Sequence, residues 1–237
     1  MAHNQASQAT RKRILQTCVR LFLEQGYRKT TMLQILRESQ ASNSSFQNIF
    51  CTKDGVLAEL VQFMFSNQFG AARRASGNLP PVCVYAAETA IQLTLTELNE
   101  NLREIYIEAY TKPAILEYII RETAREIQDI FGVYLPGLKY PDFYRLDIGT
   151  SGIMRSYMAR RCDDDFSLEQ KLSCFLSLSL RAYGVPRAEV EQAIAFVDSL
   201  DVRTLAQQLM EELFQSLQVY FDFTLPESPG RNKEATK

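Results

Sequence analysis

Residues 26–53 read GYRKTTMLQILRESQASNSSFQNIFCTK, and this stretch decides the fold. It divides into two short amphipathic segments around a polar turn. The first runs from about Met32 to Ser39, with Ile35 and Leu36 inward; the second runs from about Asn43 to Phe50, with Phe46, Ile49 and Phe50 inward. Helices of this length do not persist alone in water, so they must pack on each other and on a longer helix. Capping chemistry fixes the boundaries. Thr31 and Gln34 are spaced as a capping box, Ser42 stands before the second segment, and Thr52 stands before a long helix that begins at Lys53. Two short helices joined by a tight turn form a helix-turn-helix, whose second helix enters a major groove. That second helix presents Asn43, Ser44, Ser45, Gln47 and Asn48 outward. Short hydroxyl and amide side chains suit phosphates and base edges.

These residues resemble the DNA-binding domain of the tetracycline-repressor (TetR) family. The likeness is carried by Gly26-Tyr27, the Thr30-Thr31 start, Ile35, Ser42, Phe46, Phe50 and Thr52-Lys53-Asp54, and it covers roughly the first 65 residues. Three positions depart from the family pattern: Leu36 where a small residue is usual, Gln40 where glycine usually turns the chain, and Gln47 in place of a common tyrosine. The resemblance implies a homodimeric repressor on a double-stranded, palindromic operator. It also implies a small-molecule effector in the remaining helices, whose occupancy moves the fourth helix. DNA contacts are expected from Thr31, Ser42, Asn43, Ser44, Ser45, Gln47 and Asn48, with Arg28, Lys29 and Lys53 on phosphates.

Charge distribution points the same way. The 237-residue chain carries a net charge of −2, yet residues 1–74 hold ten Lys and Arg against four acids. A basic head on an acidic body is the footprint of a phosphate-binding module. Arg11, Lys12 and Arg13, near the start of a first helix expected over residues 8–25, add candidate phosphate contacts.

The rest reads as all-α. Helical rhythm is expected over residues 53–69, 82–110, 113–131, 142–161 and 167–184, in a further helix starting at Pro186, and from Leu200 to about Phe223. Breaks fall at residues 70–81 and 132–141 and at the acidic turn Cys162-Asp163-Asp164-Asp165. We therefore expect a helix-turn-helix DNA-binding domain over 1–69, a helical ligand-binding and dimerisation bundle over 70–225, and a disordered tail over 226–237. Phe175, Leu176, Leu178, Leu180, Phe196, Leu205, Leu209, Leu213 and Leu217 exceed one apolar face, which suits a homodimer. Gly149 and Gly152 inside a helix serve either close helix approach or a break beside a cavity.

Tyr106, Tyr110, Tyr118, Phe131, Met154 and Tyr157 are the candidate lining of an effector pocket, with Phe143, Tyr144 and Met158 adding similar surface. If the body instead engages a protein partner, the chain is a DNA-tethered adaptor with no small-molecule pocket. An enzyme is not indicated. His3 is the single histidine and sits in a polar terminus expected to be disordered, and no glycine-rich phosphate loop occurs. Five widely spaced cysteines read as free thiols, and neither a cofactor nor a metal is expected. No apolar run is long enough for a membrane span, and the N-terminus lacks a secretory h-region, so a cytoplasmic protein is expected.

Overall fold

The computed structural model describes residues 2–217, excluding the side chains of residues 2–6 and 217. The tail over 226–237, the last helix beyond residue 217 and the side chain of His3 lie outside the described residues. Within them the chain is all-α. The helices are α1 (Ala2–Gln25), α2 (Met32–Ser39), α3 (Asn43–Phe50), α4 (Lys53–Ser76), α5 (Pro81–Leu98), α6 (Glu100–Ala109), α7 (Pro113–Phe131), α8 (Tyr140–Ala159), α9 (Leu168–Ala182), α10 (Arg187–Ser199) and α11 (Val202–Leu217). Asp163 and Phe166 form one isolated bridge across the acidic turn. No helix among the described residues is long and apolar enough to cross a membrane.

The head is built as its caps dictate. Thr31 Oγ1 accepts from Gln34 N at 3.2 Å while Gln34 Oε1 accepts from Thr31 N at 3.0 Å. Ser42 Oγ accepts from Ser45 N at 3.1 Å, and Thr52 Oγ1 from Gly55 N at 3.2 Å. Ile35, Phe46 and Phe50 are buried against Ile14, Cys18, Phe22, Val56 and Leu57, so α1 and α4 supply the support that the short helices lack. The turn between α2 and α3 is made by Gln40 itself, at φ 51° and ψ 34°, and Ala41 N reaches back to Leu36 O at 3.2 Å. This left-handed C-terminal cap normally takes glycine. Gln40→Gly is expected to stabilise the chain by about 0.5–1 kcal/mol, measured by urea unfolding. A destabilised variant would show that the Gln40 side chain makes a compensating contact.

The body wraps around α5, which packs against α4, α6, α7, α8, α9, α10 and α11 and is buried along almost its whole length. Three elements differ from those read in the sequence. Helix α1 begins at Ala2, because the polar leader, containing Ala2, Ala6 and Ala9, has no helix breaker. His3 therefore has helical backbone rather than the disorder expected of it. Helix α4 passes through Gly70 and stops at Gly77, where φ is 54°. The expected single helix over 82–110 is two. Asn99 is extended and its Oδ1 accepts from Asn101 N at 2.8 Å and Leu102 N at 3.0 Å, which starts α6 afresh.

The surplus apolar surface assigned to dimerisation is mostly internal. Phe175, Leu176, Leu180, Leu209 and Leu213 are buried within the chain itself, and Leu217 lies outside the description of side chains. Of that set Leu178 is exposed, at 49%, and Phe196 and Leu205 are half-buried; outside it Leu33, Leu79, Val133, Leu138 and Ile148 (51%) are also exposed. Gly149 and Gly152 interrupt nothing: α8 continues through both, and a Cβ at either would meet open space.

Candidate nucleic-acid interface and buried cavity

On α3, Asn43, Ser44, Gln47 and Asn48 are exposed and Ser45 is half-exposed, with Phe46 and Phe50 anchoring the opposite side. Ser42 donates from Oγ to Ser45 Oγ at 2.8 Å and lies 3.0 Å from Ser44 Oγ. Thr31 and Lys29 are exposed beside them, and Thr31 is already engaged in its capping box.

The basic residues are less free than their number implies. Lys53 Nζ donates to Tyr27 O at 2.8 Å and Thr30 O at 2.9 Å and stands 4.2 Å from the Tyr27 ring centroid. Burial lowers its pKa. Arg13 Nε donates to Ser39 O at 2.5 Å, at the end of α2. Arg11 pairs with Glu59, and Arg20 with Glu24 and Glu38. Arg28 faces the body: its N donates to Glu104 Oε1 at 2.9 Å, and its Nε to Glu108 Oε1 at 2.6 Å. Lys112–Asp54 at 3.3 Å and Asn101 Nδ2 to Leu23 O at 2.8 Å join the same two parts. Gly26, at φ 94°, permits this approach, because a Cβ there would lie 2.5 Å from Glu104 Oε2. Exposed ion pairs contribute only about 0–1 kcal/mol, so they can be exchanged for other anions at little cost.

In the body, two small cavities share Phe65, Gln92, Tyr110 and Ile119 in their walls and form adjoining lobes of about 30 Å³ each. Each has room for a water-sized group rather than a drug-sized body. The first lobe is closed by Val61, Met64, Ile105 and Ala109, with a polar seam in which Gln68 donates to Tyr106 Oη and Tyr110 Oη donates to Gln92 Oε1 at 3.2 Å. The second brings in Tyr85, Glu88, Thr89, Asp147, Thr150, Met154 and Phe175.

Three residues read from the sequence, Tyr106, Tyr110 and Met154, meet at these lobes. The other three stand elsewhere. Phe131 stacks on Tyr183 at 4.4 Å in the core, Tyr157 packs on Phe175 at 5.8 Å, and Tyr118 meets Phe65 at 6.4 Å from outside the lining. The sequence reading missed Glu88 and Asp147. Glu88 falls four residues after Val84 and three before Ile91, on the buried side of a helix, and an acid at such a register is the signal that was available.

Both carboxyls are shifted toward the protonated form. Burial, then the charges of Asp147 and Glu126, raise Glu88 to about 8; burial raises Asp147 to about 7, against hydrogen bonds from Thr150 and Tyr183. Both values lie above the ordinary 4.5 and 3.8, so the folded chain holds protons that the unfolded chain has released. Their stabilising contribution is full below pH 4 and is lost as pH rises through about 7 to 8. Glu88→Gln is accordingly expected to flatten the fall in melting temperature between pH 6 and 8.5. An unchanged slope in that variant would remove Glu88 as its cause.

Among the described residues, α2 and α3 form a helix-turn-helix in a head that continues through α4 into an all-helical body. No family model matches it. It is 25% identical over 130 residues to YvkB, an uncharacterized HTH-type transcriptional regulator of Bacillus subtilis (strain 168), covering 55% of this chain and 66% of that protein. It is 26% identical over 123 residues to YuxN, another uncharacterized HTH-type regulator of the same organism, covering 49% of this chain and 40% of that protein. Both matches span less than two thirds of the relative. Among solved structures, a gamma-butyrolactone receptor (ArpA like protein) superposes with a TM-score of 0.40 at 15% identity, covering 87% of this chain and 98% of that one, a likeness too loose to bear on function.

Proposed function

We propose that the chain is a cytoplasmic DNA-binding transcriptional regulator: a homodimeric repressor that holds a palindromic operator and releases it when a small molecule enters the body. One observation carries this reading. Helix α4 begins at Lys53, directly behind the reading helix, and the same unbroken helix supplies Val61, Met64, Phe65 and Gln68 to the cavity wall. A ligand that widens the lobes must displace α4, and α4 cannot move without the head. Gln47 and Asn48 read base edges, Asn43, Ser44 and Ser45 flank them, and Thr31, Ser42 and Lys29 lie against phosphates. Lys53 offers its remaining N–H, and Arg28 joins the phosphate contacts on leaving Glu108.

The second copy meets the outward stripes of α8 and α9. Ile148 and Leu178 supply apolar surface, and Gly149 and Gly152 let a partner helix approach closely. A body serving only as a protein adaptor would have no use for two buried, poorly paired carboxyls, which favours the ligand reading.

Selection from a random duplex library with the full chain tests the proposal. A two-fold symmetric motif is expected, and Asn48→Ala should relax base preference within each half-site by about 1–3 kcal/mol per contact. Failure to enrich any motif would sink the proposal, and an unaltered preference in the variant would remove Asn48 from the reading set.

A further inference from the structure

The second lobe has an unusual set of walls for a buried space. Glu88 and Asp147 are 5% and 3% exposed and both line it. Asp147 Oδ1 accepts from Thr150 Oγ1 at 3.0 Å and Tyr183 Oη at 3.3 Å, whereas its Oδ2 is buried with no hydrogen-bond partner. The Glu88 carboxyl has neither a hydrogen bond nor an ion pair among the described residues; its surroundings act on it through burial and the negative charges of Asp147 and Glu126. Amides, hydroxyls and aromatic rings make up most of the remaining lining of the two lobes, and no Lys, Arg or His is among the described residues there. Two acids sharing one cavity repel each other and lose hydration, a cost that a cation placed between them removes. Aromatic faces around that point attract a cation further.

We propose that the effector is an organic amine, its cationic nitrogen seated between Glu88 and Asp147 and its apolar body lying against Phe65, Tyr85, Tyr110 and Phe175. This rests on the reading of the body as an effector-binding unit. The lobes admit the nitrogen as they stand, and the apolar portion gains its room by pushing Phe65 and the α4 wall outward. Anions are rejected, because nothing in the lining can neutralise them. Burial shifts both carboxyls toward the protonated form, to about 8 for Glu88 and about 7 for Asp147, so an entering ammonium displaces protons to solvent between pH 6 and 8 and binding tightens as pH rises through that range. Glu126 and Asp147 are the acids acting on Glu88, and burial keeps the hydroxyls of Tyr85, Tyr106, Tyr110 and Tyr183 neutral across this range.

Calorimetry on the full chain with benzyltrimethylammonium and phenethylamine, against 2-phenylethanol, phenylacetate and a small neutral lactone, tests the assignment. Benzyltrimethylammonium has a fixed charge, so any pH dependence belongs to the protein. The amines are expected to bind about tenfold or more tightly than the neutral and anionic isosteres at pH 8, to tighten from pH 6 to pH 8, and to release protons. Glu88→Gln and Asp147→Asn should each remove most of that preference, and melting curves identify a variant that fails to fold. Equal or tighter binding of the alcohol, acid or lactone overturns the proposal, as does affinity that falls with pH or no amine binding at all. Operator binding is measured separately. An amine that binds without changing operator affinity sinks the effector reading and leaves the amine site, whereas intact operator binding with no amine bound sinks this inference alone.

Discussion

Lys171→Ala is expected to destabilise the chain by about 3–5 kcal/mol, the cost of breaking a buried ion pair from one side. Lys171 is 0% exposed, and its Nζ donates to Glu97 Oε1 at 2.6 Å and to Arg160 O. The other oxygen of Glu97 accepts from Arg103 Nη2 at 2.9 Å and from Cys162 N at 3.2 Å. One carboxylate thus ties α5, α6, α9 and the acidic turn together. Burial works against the charge on Glu97, but Lys171, Arg103 and Cys162 N outweigh it and hold its pKa below the ordinary value. Removing the ammonium leaves Arg160 O without that donor and Glu97 with half its compensation. Lys171→Met combined with Glu97→Leu should recover part of the loss, because it removes both charges together. Urea unfolding of the single and paired variants decides the matter; a single-variant loss under about 1 kcal/mol would mean that water enters and replaces the lysine.

A second large effect is expected from Ile148→Glu combined with Leu178→Glu. Both side chains are half exposed on neighbouring helices, so the charges are solvated in an isolated chain and the fold should be unaffected. In a dimer closed by these stripes the same charges are buried against their copies. Sedimentation should then report a monomer. Affinity for a two-half-site duplex should fall on the order of 100-fold or more, since each head binds without the effective concentration supplied by the other. A variant that remains a dimer would place the two-fold contact elsewhere on the body.

The head was legible because its determinants are local. Thr31 with Gln34, Ser42 with Ser45 and Thr52 with Gly55 are contacts three residues apart, so spacing alone places the starts of α2, α3 and α4. Gln40 was recognised as standing at a glycine position, and it takes the left-handed conformation regardless. The body was legible as helical but not as a packing arrangement. Asn99 breaks a rhythm that continues on both sides of it, and only its amide geometry shows the restart. Phe131 and Tyr157 had the chemistry of a pocket wall, yet the rings they meet, Tyr183 and Phe175, lie 52 and 18 residues away in sequence and make them core. Glu88 and Asp147 face one cavity from different helices, a proximity set by how α8 packs on α5 and encoded in neither segment alone.

The contact of Arg28 with Glu104 and Glu108 changes how a salt titration of DNA binding should be interpreted. Ordinarily the logarithmic slope counts displaced counterions, at about 0.9 per phosphate neutralised. A phosphate that took Arg28 would leave Glu104 without that partner and Glu108 with Lys112 alone, at 3.8 Å, and both carboxylates would then gather cations of their own. Part of the ion release is cancelled by ion uptake on the opposite side of the same guanidinium. The slope should therefore undercount the phosphates touched, and Glu108→Gln should steepen it without adding any contact to the duplex.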